Sequence, residues 1–345
     1  MESKPFIFDL DHSDIHQVLS TLGEPKYRTN QIWKGLYQQM LDDFEQFTSL
    51  PLTLRGLLND KFAISQLQPA KTLTSKDGMT TKTLFLLPDD MAIEAVLMRY
   101  AKRRTLCIST QAGCALGCVF CATGQMGFGR NLSSGEIIEQ VVVFARQLKE
   151  QGERITNIVL MGMGEPFHNY DATMEAIERL NNEDGYNLGM RRFTISTVGV
   201  VPAIRRFTSE NSQVNLAVSL HAANDELRST MLPINDKYPL DVLLDACRDY
   251  VNITHRRITF EWALIKDIND SQEQAQELAK RLHNIHCHVN LIPLNPTHQY
   301  HNPPSSHQKV QAFKAILEEQ GIPCSVRLRR GIEIQAGCGQ LAIKN

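Results

Sequence analysis

The sequence predicts an α/β fold: an open (β/α)6 partial barrel of the TIM type, preceded by a small helical accessory domain and a short β segment. Three observations carry this. Short β-rich runs at 106–109, 155–161, 193–196, 214–220, 258–264 and 289–294 alternate with helical stretches, the pattern of a parallel sheet with outer helices. Residues 1–68 instead carry apolar side chains at helical spacing, and 69–104 read as strands separated by turn signals. Six β/α units are fewer than a closed eight-stranded barrel needs, so an open one is expected, occupying 105–345.

In the head, Trp33, Leu36, Tyr37 and Met40 recur on one helical face, as do Leu54, Leu57 and Leu58. The stretch 22–28 between them reads as a turn joining short helices, either plain helix punctuation or, through Lys26, Arg28 and the nearby Lys34, a basic grip for phosphates. Asp77-Gly78 is a hairpin signal, and 88–90 marks a second turn. The strand that follows sets Ile93, Ala95 and Leu97 against Glu94, Val96 and Met98, so on alternation alone Glu94 reads as a solvated surface carboxylate. The first barrel helix opens with a capping box, Ser133 and Glu136. Residues 295–306, rich in Pro, Asn and His, are expected to be a surface loop.

Apolar residues make up 42% and charged residues 21%, a globular balance without a disorder signature. No apolar run reaches bilayer length and the first residues lack a signal-peptide pattern, so a cytoplasmic, monomeric protein is expected. The net charge of −2 favours no partner class. Basic residues nevertheless cluster at 102–104, 191–192, 205–206, 256–257 and 327–330. Two readings stay open for them: convergence into a phosphate-binding surface, or separate solvated arginines. Among the eight cysteines, Cys247, Cys287 and Cys324 read as buried fillers.

Ligands of parallel α/β folds collect at the carboxyl ends of the strands. Those ends carry Cys114, Cys118 and Cys121, then Gly164-Glu165-Pro166, Ser196, Ser219-Leu220-His221 and Asn295. A structural zinc site wants four ligands, and no fourth Cys or His lies nearby in sequence. Cys-x-x-Cys redox chemistry would leave Cys114 idle. A [4Fe–4S] cluster with one iron open to a ligand uses all three thiols. Cys107, on the first barrel strand, reads by itself as a buried strand residue, and Cys338 as an inert tail thiol.

The Cys-x-x-x-Cys-x-x-Cys spacing followed by Gly-Glu-Pro resembles the radical S-adenosylmethionine (SAM) superfamily. Within it, TLCISTQAGCALGCVFCATGQMGF (residues 105–128), AGCGQL (336–341) and the Tyr27-Arg28-x-x-Gln31 segment are similar to the RlmN/Cfr family of RNA adenine methyltransferases, and the likeness runs through nearly the whole chain. That resemblance implies a [4Fe–4S] cluster held by Cys114, Cys118 and Cys121. It implies SAM bound by Gly164, Glu165, Ser196, Ser219, Leu220, His221 and Asn295, with one molecule as methyl donor and a second as radical source. It also implies that Cys338 carries the methyl group, that Glu94 is the general base, and that Cys107 releases the product through a Cys107–Cys338 disulfide.

The activity so implied is methylation of adenine carbon 2 in 23S rRNA and tRNA, fed by a one-electron donor such as flavodoxin or ferredoxin. Residues 122–128 and Gly164-Glu165-Pro166 look closer to the RlmN branch, while 234–239 look somewhat like the Cfr branch, which acts at carbon 8 and confers antibiotic resistance. A glycyl-radical activase would leave Cys338 and the basic head unused, and a non-catalytic RNA-binding protein would hold no iron and sulfide. The tail departs from the family pattern: Gln335 replaces one acid of a pair, and Gly337 replaces an alanine, which puts the positioning of the tail in question.

Overall fold

The computed structural model describes residues 4–327 and 329–342. The head holds α1 (His12–Thr21), α2 (Tyr27–Lys34) and α3 (Leu52–Lys61). The turn expected at 22–28 separates α1 from α2. Beyond Lys34 the helix widens into a π turn, Gly35–Gln39, ended by Met40 in the left-handed region. Gly35 packs flat on the Phe47 ring, where a Cβ would stand 2.2 Å from a ring carbon, so a larger residue could not take this path. Trp33, Leu36 and Tyr37 are buried as their spacing predicts, and so are Leu54 and Leu58, but Leu57 is exposed.

The middle segment forms an antiparallel meander of β1 (Gln68–Thr74), β2 (Thr80–Leu86) and β3 (Ala92–Arg99), with both expected turns in place. It is no separate linker, because β3 pairs antiparallel with β4 (Arg104–Cys107), the first barrel strand. After β4 the chain makes a small ribbon, β5 (Gln111–Gly113) with β6 (Phe128–Asn131), and the cysteine loop and α4 (Ala122–Met126) lie between its arms. The amide of Cys114 donates to the Gly127 carbonyl and closes the neck of that loop.

The βα repetition then runs α5 (Ser134–Glu150), β7 (Asn157–Leu160), α6 (Tyr170–Asn181), β8 (Phe193–Thr197), α7 (Val201–Ser209) and β9 (Asn215–Ser219). It continues through α8 (Asp225–Met231), α9 (Leu240–Thr254), β10 (Ile258–Leu264), α10 (Gln272–Leu282), β11 (Cys287–Pro293) and α11 (His307–Glu319) to β12 (Cys324–Val326). Strands β4, β7, β8, β9, β10, β11 and β12 pair in that order, all parallel, within a ten-stranded sheet whose outer strands β1 and β12 do not meet. The six predicted runs are all strands. β12, three half-buried residues, is an addition too short and too weakly patterned to be read from sequence. Ser133 and Glu136 form the reciprocal capping box expected at the start of α5.

Head and barrel share one apolar core, which runs from Phe6 through Phe62 into the sheet. Polar ties reinforce the junction. Arg179 of α6 donates to the carbonyls of Phe8 and Asp9, and the buried Glu139 of α5 accepts from the Ser65 hydroxyl and the amides of Gln66 and Leu67. Both faces of β3 are therefore covered and its first six residues are buried, which overturns the surface reading of Glu94. Cys247 and Cys287 are buried as expected, whereas Cys324 is half-buried. The loop over 295–306 is only partly at the surface: Asn295, Thr297 and Ser305 are buried.

Candidate active site

At the carboxyl ends of the parallel strands lies a cavity of about 170 Å3 bordered by Cys114, Cys118, Cys121, Gly164, Glu165 and Ser196, and on its other side by Ser219, His221, Asn295 and Cys338. Burial pushes the Cys114 thiol up to about 12, and it pushes Cys118 well above the ordinary thiol value, with Cys121 and Cys114 adding to the effect. Such thiols stay neutral unless a strongly Lewis-acidic centre takes them as thiolates. Among the described residues no three His, Cys, Asp or Glu side chains converge as ligands of a single ion would. Three thiols from one short loop bordering one cavity match the three protein ligands of a cluster that leaves one iron open.

Each strand end contributes by a distinct local device. Gly164 has φ +102°, and a Cβ there would lie 2.6 Å from Gln111, so only glycine fits. The Gln111 amide oxygen accepts from the Glu165 amide, fixing the turn after β7. Glu165 is buried, and burial raises its carboxyl to about 7. Its two oxygens accept from the Phe167 and Val198 amides, so the side chain ties the ends of β7 and β8 together. His221 lies in the left-handed region at φ 61°, with Nδ1 accepting from the Ala263 amide. Burial and Arg228 lower its imidazole to about 3, so it is neutral, and with Nδ1 accepting, Nε2 carries the hydrogen. Leu220 is buried in the core and does not line the cavity; its amide donates to the Glu261 carbonyl and its own carbonyl accepts from Arg228.

Sequence reasoning missed Arg228. It is fully buried on α8 and donates to the carbonyls of Val198, Ser219 and Leu220 and to the Asn235 amide oxygen, clamping the β8 and β9 ends. Helix α8 also touches the cysteine loop, because the Val119 amide donates to the Met231 carbonyl. Its only signal in the sequence is an arginine on a short amphipathic helix, which any solvated helix face also shows.

The carboxyl-terminal tail crosses the mouth of this cavity. The Ala122 amide donates to the Gly339 carbonyl and the Thr123 hydroxyl to the Leu341 carbonyl, so the tail is stitched to the end of the cysteine loop. Asn295 donates to the Cys338 carbonyl, and a Cβ on Gly337 would lie 2.5 Å from the Asn295 amide nitrogen. The glycine that departs from the family pattern thus lets the tail seat directly on Asn295. Glu333 accepts from the Lys76 amide, and the Gln335 carbonyl accepts from Lys82.

Cys338 is exposed and shares with the buried Cys107 a small cavity of about 50 Å3, lined also by Val96, Met161 and Arg327. The Arg327 guanidinium donates to Cys338 Sγ at 3.3 Å and lies 3.9 Å from Glu261. Burial drives the Cys107 thiol up to about 12, with Cys338 raising it further and Arg327 opposing. All eight cysteines are free, so the disulfide that the resemblance implied is absent from this structure. Glu94 stands on the face of β3 that also carries Val96, the residue paired with Cys107. Its Oε1 lies 2.8 Å from Lys82 Nζ, and its Oε2 accepts from the Ala342 amide at 3.1 Å. Lys82 and Arg327 are the other contributors that the sequence did not single out.

A parallel α/β barrel that gathers three thiols beside a polar cavity at its strand ends defines the class of radical SAM enzymes, which use a [4Fe–4S] cluster and SAM. Comparison with known proteins agrees and narrows it. Residues 108–282 match the radical SAM superfamily, and residues 7–64 match the ribosomal RNA large subunit methyltransferase N-terminal domain. The chain is 45% identical to a probable dual-specificity RNA methyltransferase RlmN of Chloroflexus aurantiacus, covering 97% of this chain and 92% of that protein. It is 47% identical to dual-specificity RNA methyltransferase RlmN 1 of Myxococcus xanthus, covering 97% and 93%. A crystal structure of a radical SAM methyltransferase from Sphaerobacter thermophilus superposes with a TM-score of 0.96 at 49% identity, covering 98% of this chain and 99% of that one. The chain belongs to the RlmN family of radical SAM RNA methyltransferases.

Proposed function

We propose that this protein methylates carbon 2 of adenine in 23S rRNA and in tRNA. In this reading Cys114, Cys118 and Cys121 hold the cluster. Gly164, Glu165, Ser196, Ser219, Leu220, His221 and Asn295 hold SAM. When bound, cluster and SAM supply a 5′-deoxyadenosyl radical, chemistry that belongs to the cofactors. An adenine ring carbon is electrophilic, as is the SAM methyl group, so a residue of the chain must carry the methyl between them.

Cys338 is that carrier. Its thiolate, held by Arg327, displaces the sulfonium methyl of one SAM. After the S-methyl group has lost a hydrogen and its carbon has joined the ring, the RNA is tethered to Cys338, and the unpaired electron left on the adduct would pass to an acceptor, which the cluster would supply when bound. Glu94, held by Lys82, then takes the ring proton. The Cys107 thiolate attacks the Cys338 sulfur, the S–CH2 bond breaks with its electron pair passing to the methylene carbon and ring, that carbon takes up a proton to become the methyl group, and the disulfide left behind is reduced by cellular thiols. The observation that carries this reading is the shared cavity of Cys338 and Cys107, with Glu94 on the same inner sheet face. A flavodoxin or ferredoxin as electron donor, a cytoplasmic location and a monomeric state complete the proposal. Among the described residues no helix is long and apolar enough to cross a membrane.

The test is product analysis. Protein reconstituted without air should convert RNA to a digest containing 2-methyladenosine, identified by mass spectrometry. A digest holding only 8-methyladenosine would overturn the carbon-2 assignment and place the chain with the Cfr-type activity.

A further inference from the structure

The barrel has a second opening, at the end opposite the cysteine loop. There a cavity of about 910 Å3 lies among the amino-terminal ends of the parallel strands. Barrel interiors are ordinarily filled by bulky branched side chains. Here small polar residues line the interior instead, among them Asn157 of β7, Asn215 of β9 and Asn290 of β11. The rim carries Arg103, Arg191, Arg256 and Arg257, each in the segment just before a strand. Three of the basic clusters left open by the sequence, at 102–104, 191–192 and 256–257, thus converge.

These arginines differ from most others in the chain. Arg104, Arg130, Arg179 and Arg206 all meet carboxylates, but among the described residues no rim arginine lies within 4.0 Å of one. Arg191 and Arg256 instead donate to the same neutral acceptor, the Gln213 amide oxygen, at 3.0–3.1 Å. Arg103 rests on the Tyr100 ring. The one acidic residue lining the cavity, Glu261, is buried and lies 3.9 Å from Arg327. Like charges held together without counter-charges destabilise the fold unless an anion visits them. The cavity also leads inward. Met98, Tyr100, Val159, Met161 and Arg327 border both it and the small cavity of Cys107 and Cys338.

The head offers less than its sequence suggested. The Arg28 guanidinium donates to the Gln31 side chain and the Ser49 carbonyl, so it is spent on holding the head together. Only Lys26 and Lys34 of the expected trio are exposed.

We infer that the amino-terminal mouth of the barrel is an RNA docking surface: Arg103, Arg191, Arg256 and Arg257 take the phosphates flanking the target nucleotide, whose base reaches Cys338 through the polar vestibule. This rests on the RNA methylation proposed above. Cofactors then occupy the carboxyl end and the nucleic acid the amino end, meeting at Cys338. A base must leave its stack to enter such a pocket, and phosphate clamps beside the opening favour that extruded state.

The test uses the full-length reconstituted enzyme and a fluorescent stem-loop RNA that the parent methylates. Arg191→Gln/Arg256→Gln/Arg257→Gln should weaken binding by at least about tenfold near 0.15 M salt, and should flatten the plot of log affinity against log salt by ~0.7–0.9 for each phosphate no longer neutralised. Iron content and SAM binding report whether the barrel is intact. If the triple variant misfolds, Arg257→Gln alone should still lower the slope by ~0.7–0.9. Unchanged affinity and slope in an intact variant, with weakened binding confined to Lys26→Glu/Lys34→Glu, would overturn the inference and return RNA docking to the head. A parent that modifies no RNA would instead sink the methylation reading, so the two failures are distinguishable.

Discussion

The buried pair of Lys82 and Glu94 gives a sharp handle on the proposed mechanism. Its atoms are 2.8 Å apart, with the side chains only 9% and 6% exposed. Lys82→Met removes one partner of a buried carboxylate that also accepts from the Ala342 amide. Breaking one side of a buried pair costs about 3–5 kcal/mol. A destabilisation of about 3 kcal/mol is therefore expected. Anaerobic denaturant titration measures it, and Lys82→Met/Glu94→Gln should recover most of it. Glu94 also loses the cation that holds it in place to accept the ring proton. The variant should therefore accumulate RNA covalently joined to Cys338, visible as a slow band on a denaturing gel. Stability within about 0.5 kcal/mol of the parent, together with undiminished release of methylated RNA, would refute the reasoning.

Arg327→Met should slow alkylation of Cys338 by roughly 10- to 100-fold, the worth of one charge-assisted hydrogen bond to the sulfur, while Arg327→Lys should restore part of the rate; quantitative mass spectrometry of the tail peptide checks both. Iodoacetamide near pH 8 should label the exposed Cys338 and spare Cys107, whose thiol is pushed up to about 12 chiefly by burial. Only the thiolate reacts, so Cys107 labelling should rise about tenfold per pH unit on approach to that value; equal labelling of the two near pH 8 would show that Cys107 is open to solvent.

Much of the fold could be read because its signals are local. Six apolar runs bounded by polar residues, the Asp77-Gly78 turn and the Ser133–Glu136 box each act over a few neighbouring residues, and each formed as predicted. Glu94 shows where local reading stops. Alternation on β3 separates two faces but cannot say that the second is also covered, here by the tail and the barrel interior. Arg28 is a similar case: its charge suggested a nucleic-acid contact, yet Gln31 and Ser49 already hold it. Arg327 lay in a basic run that gave no hint of a sulfur partner, because Cys338 comes beside it only when the tail folds back.

By itself the sequence determined the order of strands and helices, the cysteine spacing and the residue types available for chemistry, all set by periodicity and short-range geometry. The tertiary structure alone decided which of these residues meet. Lys82 reached Glu94, the tail reached the cysteine loop, and arginines far apart in the chain came to ring one mouth of the barrel. The physical reason is that burial and electrostatic environment depend on what the rest of the chain places nearby, and no window of neighbouring residues contains that information.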